Sequence, residues 1–278
     1  MSKVRVLHVQ GQKLLREGDR EGAKSTFEDE RLLAQSIDDQ PGLIQALNDL
    51  GSVHVLEGNP EAAVVYHRQA LAIAEGWGET PLLISSLTHL GTAVQLEGEN
   101  EEAVRMYRRA LDLAHQTSDE RSEAVLHNNL GLIHRRAGRA AKAAESFRSA
   151  LELNRRLEDR RAQASNHLNL GLVAEDRGQL EEAQREFSHA LSLDKEVENR
   201  EAIAGDLVSL ARVLEKQHKT DQALGYAQRA YWTYRALGDR SRALVELNQV
   251  LELLRSQGRQ DLLPEYEREL RELKKSDE

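Results

Sequence analysis

Apolar residues recur along the whole chain at intervals of three and four residues, the spacing that places them on one face of an α-helix. In one stretch they occupy Ile44, Leu47, Leu50 and Val53, with mostly polar or small residues between them. No stretch alternates apolar and polar residues in the manner of a half-buried β-strand. The pattern therefore predicts an all-α protein built from amphipathic helices.

Landmark residues return every forty positions, and no insertion breaks this register. The clearest landmark is the dipeptide Leu-Gly, at Leu50-Gly51, Leu90-Gly91, Leu130-Gly131 and Leu170-Gly171. A second glycine, an alanine and usually an aromatic residue follow at fixed offsets, as in Gly98, Ala103 and Tyr107. Repetition at such a period is the signature of a solenoid. It divides the chain into seven units, at residues 1–40, 41–80, 81–120, 121–160, 161–200, 201–240 and 241–278.

Each unit has the signals for two helices. Residues suited to helix N-caps mark most unit boundaries, at Asp39, Glu79, Asp119, Asp159, Asn199 and Asp239. The second phased glycine is predicted to end the first helix of each unit in a left-handed conformation, at Gly18, Gly58, Gly98, Gly138, Gly178 and Gly258. Pro264 is the one proline out of place, and it predicts a delayed start for the last helix.

These landmarks resemble the tetratricopeptide repeat in a longer, forty-residue variant. Similar long repeats occur in Pins-type adaptors, kinesin light chains and bacterial peptide-responsive regulators. The resemblance implies a right-handed α-solenoid of about seven tandem antiparallel helix pairs, a tetratricopeptide-like superhelix. It further implies that first helices line a concave groove and second helices form the convex back. We expect a single solenoid over residues 1–278, in which the atypical first and last units act as caps.

Composition narrows the class of protein. The 278 residues include no cysteine, which excludes disulfides, thiolate metal sites and cysteine nucleophiles. A formal net charge of −9 disfavours nucleic acid as a partner. No apolar run approaches the length of a membrane span, and the N-terminus lacks a signal-peptide pattern. We therefore expect a cytoplasmic protein without membrane insertion, although the mature form of an exported protein would have the same composition.

Motifs for catalysis, phosphate binding or dinucleotide binding are missing from the sequence. We therefore expect no enzymatic activity, no cofactor and no metal site. Four histidines stand at repeat positions that other units fill with apolar residues, so they are interpreted as core substitutes. They are His54, His127, His134 and His167.

Polar residues just before the Leu-Gly pair are the candidate peptide-binding groups. They are Asn48, His89, Asn128, Asn129 and Asn169. In similar long-repeat proteins, asparagine at this location holds the backbone of a bound peptide, and an amide suits this role because it offers both a donor and an acceptor. The alternative is that these asparagines only bond neighbouring helices.

Two further features are candidates for partner contact. Unit four has nine basic against five acidic residues, including Arg135 and Arg136, which favours an acidic partner segment unless this is merely a solvated face. Tyr231, Trp232 and Tyr234 cluster in unit six, either as packing for the last helix pair or as a secondary contact patch.

The sequence thus predicts a non-enzymatic protein–protein interaction scaffold that binds a peptide segment of a protein partner in its concave groove. The alternative is a ligand-responsive regulatory sensor that changes its superhelical pitch on binding a signalling peptide. The composition does not determine an oligomeric state.

Overall fold

The computed structural model of the chain describes residues 2–275, and every regular element in that range is an α-helix. The predicted all-α architecture is therefore confirmed. The helices are α1 (Lys3–Glu17), α2 (Arg20–Ser36), α3 (Gln40–Leu56), α4 (Pro60–Trp77), α5 (Thr80–Leu96), α6 (Asn100–Gln116), α7 (Glu120–Arg136), α8 (Ala140–Arg156), α9 (Arg160–Asp176), α10 (Leu180–Glu196), α11 (Arg200–Lys216), α12 (Thr220–Ala236), α13 (Arg240–Ser256) and α14 (Leu263–Lys275).

The helices form two compact units, Met1–Ile133 and His134–Glu278. In the first unit, α1 to α6 pack against one another in chain order, and α3 also contacts α1 and α5. In the second unit, α8 to α14 pack in the same sequential way. Within each unit this is the nearest-neighbour packing of an α-solenoid, in which the apolar face of one helix pair is covered by the next pair.

The predicted helix starts and ends are largely confirmed. Asp39 accepts a hydrogen bond from the backbone N–H of Gly42 at 3.0 Å, and Asp159 does the same for Ala162 at 3.0 Å. Glu79 is the exception, because its side chain makes no capping bond. All the predicted turn glycines have positive φ, between 68° and 91°. The start of α14 at Leu263, three positions later than its phase requires, agrees with the delay expected from Pro264.

Most turns between units differ from those within units, although Gly78 and Gly238 also have positive φ between units and His218 has positive φ within unit six. Four of the turns between units use a residue with a side chain in the left-handed conformation, with φ between 53° and 56°, at Asp38, Ser118, Glu158 and Glu198. Such a conformation costs on the order of 1 kcal/mol or more. The next backbone N–H bonds back into the helix, as from Asp39 to the carbonyl of Ala34 at 2.9 Å, and holds the turn closed. No glycine marks these turns, so the sequence pattern did not reveal their geometry.

Inside the helix pairs, the glycine of the Leu-Gly dipeptide lies against the ring of the phased aromatic residue. A Cβ atom on Gly91 would lie 2.6 Å from the ring of Tyr107, and one on Gly171 would lie 2.5 Å from that of Phe187. Both rings are fully buried. In the sixth repeat the two positions are Ala211 and Ala227, both buried, so a larger residue on the first helix accompanies a smaller one on the second.

The last helix covers the apolar flank of the sixth repeat. Tyr266 of α14 is 6% exposed and lies edge-on to Tyr231, with the ring centroids 6.4 Å apart. The hydroxyl of Tyr231 also donates to Glu269 at 2.7 Å. Leu270 and Leu273 pack on the same cluster as Leu247. The capping role of the final unit stays a prediction, which truncation can test.

Substitution of Gly171 and of Phe187, singly and together, should show that the two positions depend on each other. We expect Gly171→Ala to destabilise the protein by about 1–3 kcal/mol, because the added methyl overlaps the Phe187 ring. In a Phe187→Ala background the same change should stabilise by about 0.5–1 kcal/mol, since alanine is the better helix former. Gly205→Ala, where nothing lies within 4 Å of the new methyl, is the matched control and should also stabilise. Denaturant unfolding of the parent, the two single variants and the double variant measures this. An equal change in the free energy of unfolding from Gly171→Ala in both backgrounds would contradict it.

Removal of residues 241–278 should expose the buried Tyr231 and Leu224 of the sixth repeat. Because an uncovered repeat flank is an extended apolar surface, we expect the truncated chain to aggregate. Size-exclusion chromatography with light scattering tests this. A truncated chain that stays as soluble as the full chain, in the same oligomeric state, would show that the final unit is not a cap.

Candidate functional site

A cavity of about 830 Å³ opens among the first helices of the first three repeats, α1, α3 and α5. Its lining combines apolar side chains, such as Val9 and Leu82, with neutral hydrogen-bonding groups, such as Gln45, Ser52 and Ser85. All of these side chains belong to first helices, α1, α3 and α5. The ionisable residues Arg5, His8, Asp39 and Asp49 also line it. The arrangement offers both apolar contact and hydrogen bonds to an extended ligand.

A second cavity, of about 290 Å³, lies between α5 and α7. Ser85 and His89 line both cavities, so the two adjoin along α5. Val125 of α7 contributes to the second cavity, and Asn129 lies one helical turn beyond it on the same face. The two cavities together form a track across α1, α3, α5 and α7, which we call the first-helix groove.

Asn48 and His89, two of the predicted peptide-binding residues, lie on this groove. Asn48 is only 5% exposed, and its amide is already bonded: Nδ2 donates to the hydroxyl of Ser86 at 3.1 Å, and Oδ1 lies 3.1 Å from Nδ1 of His67. His89 stacks on His67, with ring centroids 5.3 Å apart. The contacts of Asn48 are those of a residue that joins neighbouring helices.

Both stacked histidines are neutral at physiological pH. Burial, together with the neighbouring His89, lowers the pKa of His67 to about 3, and burial also lowers the pKa of His89. The wall of the groove at α5 is therefore uncharged and can donate or accept hydrogen bonds, according to the tautomer of His89.

The other predicted asparagines differ in exposure. Asn128 and Asn129 are half-buried on α7 in the first compact unit. Asn169, on α9 in the second unit, is only 8% exposed, which leaves its amide little surface for a peptide. The role of these residues in peptide binding stays a prediction.

The two arginines of the predicted basic pair have different surroundings. Nε of Arg135 donates to Asp176 at 2.7 Å, so its charge is partly neutralised by the next repeat. Arg136 is exposed to solvent. Of the two, Arg136 has the side chain better placed to meet an acidic partner.

The aromatic cluster of the sixth repeat is mostly internal. Tyr231 is fully buried and Tyr234 is 5% exposed, whereas Trp232 is 42% exposed with the Arg235 guanidinium 5.1 Å from its ring centroid. Of the three residues of the predicted contact patch, only Trp232 presents surface, and its role in partner contact stays a prediction. The two tyrosines occupy core positions because their phase faces α13 and α14.

The histidines interpreted as core substitutes are buried in three of four cases. His54, His134 and His167 are each 7–8% exposed, and His127 is half-buried. Nδ1 of His167 lies 2.7 Å from Glu186, which satisfies its polar edge.

A cluster absent from the sequence predictions lies beside the larger cavity. Nδ1 of His8 is 2.9 Å from Oδ2 of Asp49 and 3.8 Å from Oε1 of Glu30. Burial and the adjacent Asp49 and Asp39 raise the pKa of Glu30 to about 8, and burial raises the pKa of Asp49 to about 7. The three residues are distant in sequence and share no motif, so only the packing of α1, α2 and α3 brings them together.

A second buried pair of acids lies between the fifth and sixth repeats. Asp206 is 1% exposed and Asp194 is 5% exposed. Burial and the hydrogen bond with Asp194 raise the pKa of Asp206 to about 8. In the preceding repeat the equivalent positions are Asn154 and Asn166, whose amides are bonded at 2.7 Å. An amide pair and a proton-sharing acid pair thus occupy the same place in successive repeats.

Comparison with known proteins identifies a family for most of the chain. A sequence model of the family described as tetratricopeptide repeat matches residues 5–76, 82–156 and 161–231. No curated protein matches the sequence. Among the described residues, no helix combines the length and the apolar character needed to cross a membrane.

Solved structures with a similar fold include three that cover most of this chain. BtubC from P. vanneervenii is 19% identical, with 86% of this chain and 93% of that chain covered and a TM-score of 0.69. The apo form of RapI is 15% identical, with 99% and 98% covered and a TM-score of 0.71. The apo form of the quorum sensor NprR from B. thuringiensis is 15% identical, with 98% and 76% covered and a TM-score of 0.69. At these identities the similarity shows the fold alone.

The acid pair predicts a stability that falls as the pH rises. Because folding raises the pKa of Asp206 from about 3.9 to about 8, the folded chain binds the proton more tightly than the unfolded chain. The buried acid pair therefore does not destabilise the fold below about pH 4. Above that pH it lowers the free energy of unfolding progressively towards pH 8. We expect Asp194→Asn with Asp206→Asn, which copies the preceding repeat, to be more stable than the parent by more than about 1 kcal/mol at pH 8 and not at pH 4.

Urea unfolding at a series of pH values measures the difference. Asp112→Asn, at an exposed position on α6, is the control and should show no such pH-dependent gain. A constant difference between the double variant and the parent across the range would contradict the shared-proton interpretation.

Proposed function

This chain belongs to the tetratricopeptide repeat family, and we propose that it is a non-enzymatic scaffold that binds an extended peptide segment of a protein partner in the first-helix groove. The observation that supports this most directly is the pair of adjoining cavities across α1, α3, α5 and α7, joined at Ser85 and His89. A continuous track of this kind suits a chain segment better than a compact small molecule.

The chemistry of the groove fits a peptide backbone. An extended peptide presents alternating N–H and C=O groups, which need neutral partners able both to donate and to accept. Gln45, Ser85 and His89 provide such partners, and Val9 and Leu82 provide apolar contact for side chains. Each neutral hydrogen bond contributes about 0.5–1.5 kcal/mol net, so affinity would come from several bonds along the track.

Asn129 extends this set along α7. It occupies the repeat position of His89, forty residues later, and is half-buried rather than enclosed. An amide at that point continues the row of neutral hydrogen-bonding groups within the first compact unit. In the second unit, the exposed Arg136 provides a charge-assisted contact for an acidic segment of the partner.

A sensor that changes its superhelical pitch on binding a signalling peptide is the second candidate. The similar fold of the quorum sensor NprR motivates it. A scaffold binds with little change in its radius of gyration, whereas a pitch change requires a measurable one. Small-angle scattering of the chain with and without a saturating peptide separates the two.

A displayed library of extended peptides, selected against the full chain, tests the groove itself. We expect Ser85→Arg to weaken the selected peptides at least tenfold, because the long side chain fills both cavities where they adjoin. Ser36→Arg, the same change at an exposed position near the end of α2, is the matched control and should bind like the parent. Fluorescence anisotropy measures the affinities, and circular dichroism verifies that both variants keep their melting temperature.

Two results would count against the proposal. Selected peptides that bind Ser85→Arg as tightly as the parent would place the site elsewhere on the chain. Peptides weakened equally by both arginine variants would indicate a general charge effect and not occupation of the groove.

A further inference from the structure

We propose that His8, Glu30 and Asp49 form a binding site for a divalent transition-metal ion, of which Zn²⁺ is the best-fitting example. The three side chains come from α1, α2 and α3 of the first compact unit, and one ligand atom from each lies within 4.8 Å of the other two. This inference is independent of the proposed peptide binding.

The spacing of the ligand atoms fits one ion. Zinc bonds to imidazole nitrogen and carboxylate oxygen are about 2.0–2.2 Å long, so two ligands of a tetrahedral ion lie about 3.4 Å apart. Nδ1 of His8 lies 2.9 Å from Oδ2 of Asp49 and 3.8 Å from Oε1 of Glu30. These distances lie on either side of the required value, so small side-chain rotations would bring the three atoms around a common centre.

The burial of Glu30 points to a cation. Its side chain is completely buried, and neither of its oxygens has a hydrogen-bond partner among the described residues. Nδ1 of His8 and Oδ2 of Asp49 face each other at 2.9 Å, but neither makes a hydrogen bond of good geometry among the described residues. A buried carboxyl group without a hydrogen bond is costly, and a bound metal ion is one of the few groups that would satisfy both acids at once.

Neighbouring amides are placed to orient the ligands. Nε2 of Gln12 donates to Oδ1 of Asp49 at 2.7 Å, which leaves Oδ2 directed at His8. Nε2 of the Gln45 amide lies 3.1 Å from Nε2 of His8, the ring nitrogen opposite the proposed ligand atom. Rotating this amide by 180° would place its oxygen there to accept from Nε2–H of His8, which leaves Nδ1 free for the ion. Such bonds fix the orientation and the tautomer of metal-binding side chains, and their loss typically weakens binding by about 10–100-fold.

The chemistry of the ligands selects the type of ion. One imidazole nitrogen with two carboxylates suits zinc and neighbouring first-row metals, whereas magnesium and calcium favour an all-oxygen set. His8 and Asp49 also line the larger cavity, which provides a path for the ion and leaves one side of the site open. The site would thus have three protein ligands and a position that faces the groove.

Calorimetric titration of tag-free, chelator-treated full chain with Zn²⁺ tests the site. We expect one ion per chain, and at least tenfold weaker binding by Glu30→Gln and by Asp49→Asn. His115→Gln is the matched control, because the exposed His115 lies 3.4 Å from a single carboxylate, that of Glu123, and so offers only two ligands. It should bind zinc like the parent, and Mg²⁺ should not compete.

Thermal unfolding gives a readout that misfolding cannot imitate. Zn²⁺ should raise the melting temperature of the parent and of His115→Gln, and not that of Glu30→Gln. Without metal, Glu30→Gln should melt at or above the parent temperature, since it removes a buried acid while keeping its shape. If the parent fails to bind Zn²⁺ at micromolar concentration, or Glu30→Gln and Asp49→Asn bind as tightly as the parent, the cluster is held by protons alone and the proposal is wrong.

Discussion

The contact between a glycine of the first helix and a ring of the second determines how closely the two helices of a repeat approach. The rings of Tyr107 and Phe187 lie where the Cβ atom of Gly91 or Gly171 would be, so the helices meet with backbone against aromatic face. Ala211 and Ala227 solve the same packing problem with two methyl groups. Because protein interiors are close-packed, the residue on the first helix and the residue facing it on the second helix must change together. This coupling keeps the distance between the two helices constant from repeat to repeat.

Stacking in turn produces both the core and the groove. Within each compact unit, the second helices pack against their own first helix and against the first helix of the next repeat, which buries their apolar side chains. In the described part of the first compact unit, α1, α3, α5 and α7 each turn one face towards the groove. Gln45 and Ser85 stand on that face, and repetition places them side by side along the same track. The groove is a consequence of the packing and needs no separate device.

The polar residues buried between neighbouring repeats differ from one pair of repeats to the next. Equivalent buried positions hold Asn154 with Asn166 between one pair of repeats and Asp194 with Asp206 between the next pair. The first repeats bury His8, Glu30 and Asp49 together. Polar groups buried between repeats are costly unless satisfied by a partner, a proton or an ion. They make the repeats distinguishable from one another although the surrounding apolar contacts are alike.

The sequence by itself determined the helices, their ends and the family of the fold. These features were readable because they reflect local packing and turn geometry, acting over one turn or one helix pair. Examples are the forty-residue spacing of Leu-Gly, the boundary residue Asp39 and the turn glycine Gly98. Only the tertiary structure decided which polar residues are enclosed and which face the groove. Asn48 and Asn128 occupy the same repeat position, yet Asn48 is held by Ser86 and His67 while Asn128 is half-buried.

The same limit applies to the acidic cluster and to the aromatic residues of the sixth repeat. His8, Glu30 and Asp49 belong to three helices, and their distance depends on how those helices stack, which no local spacing encodes. Tyr231 and Trp232 are adjacent in the chain, but one is buried beneath α14 and the other is exposed. Periodicity assigns a residue to a helix face; burial and charge depend on what the neighbouring helix places against that face.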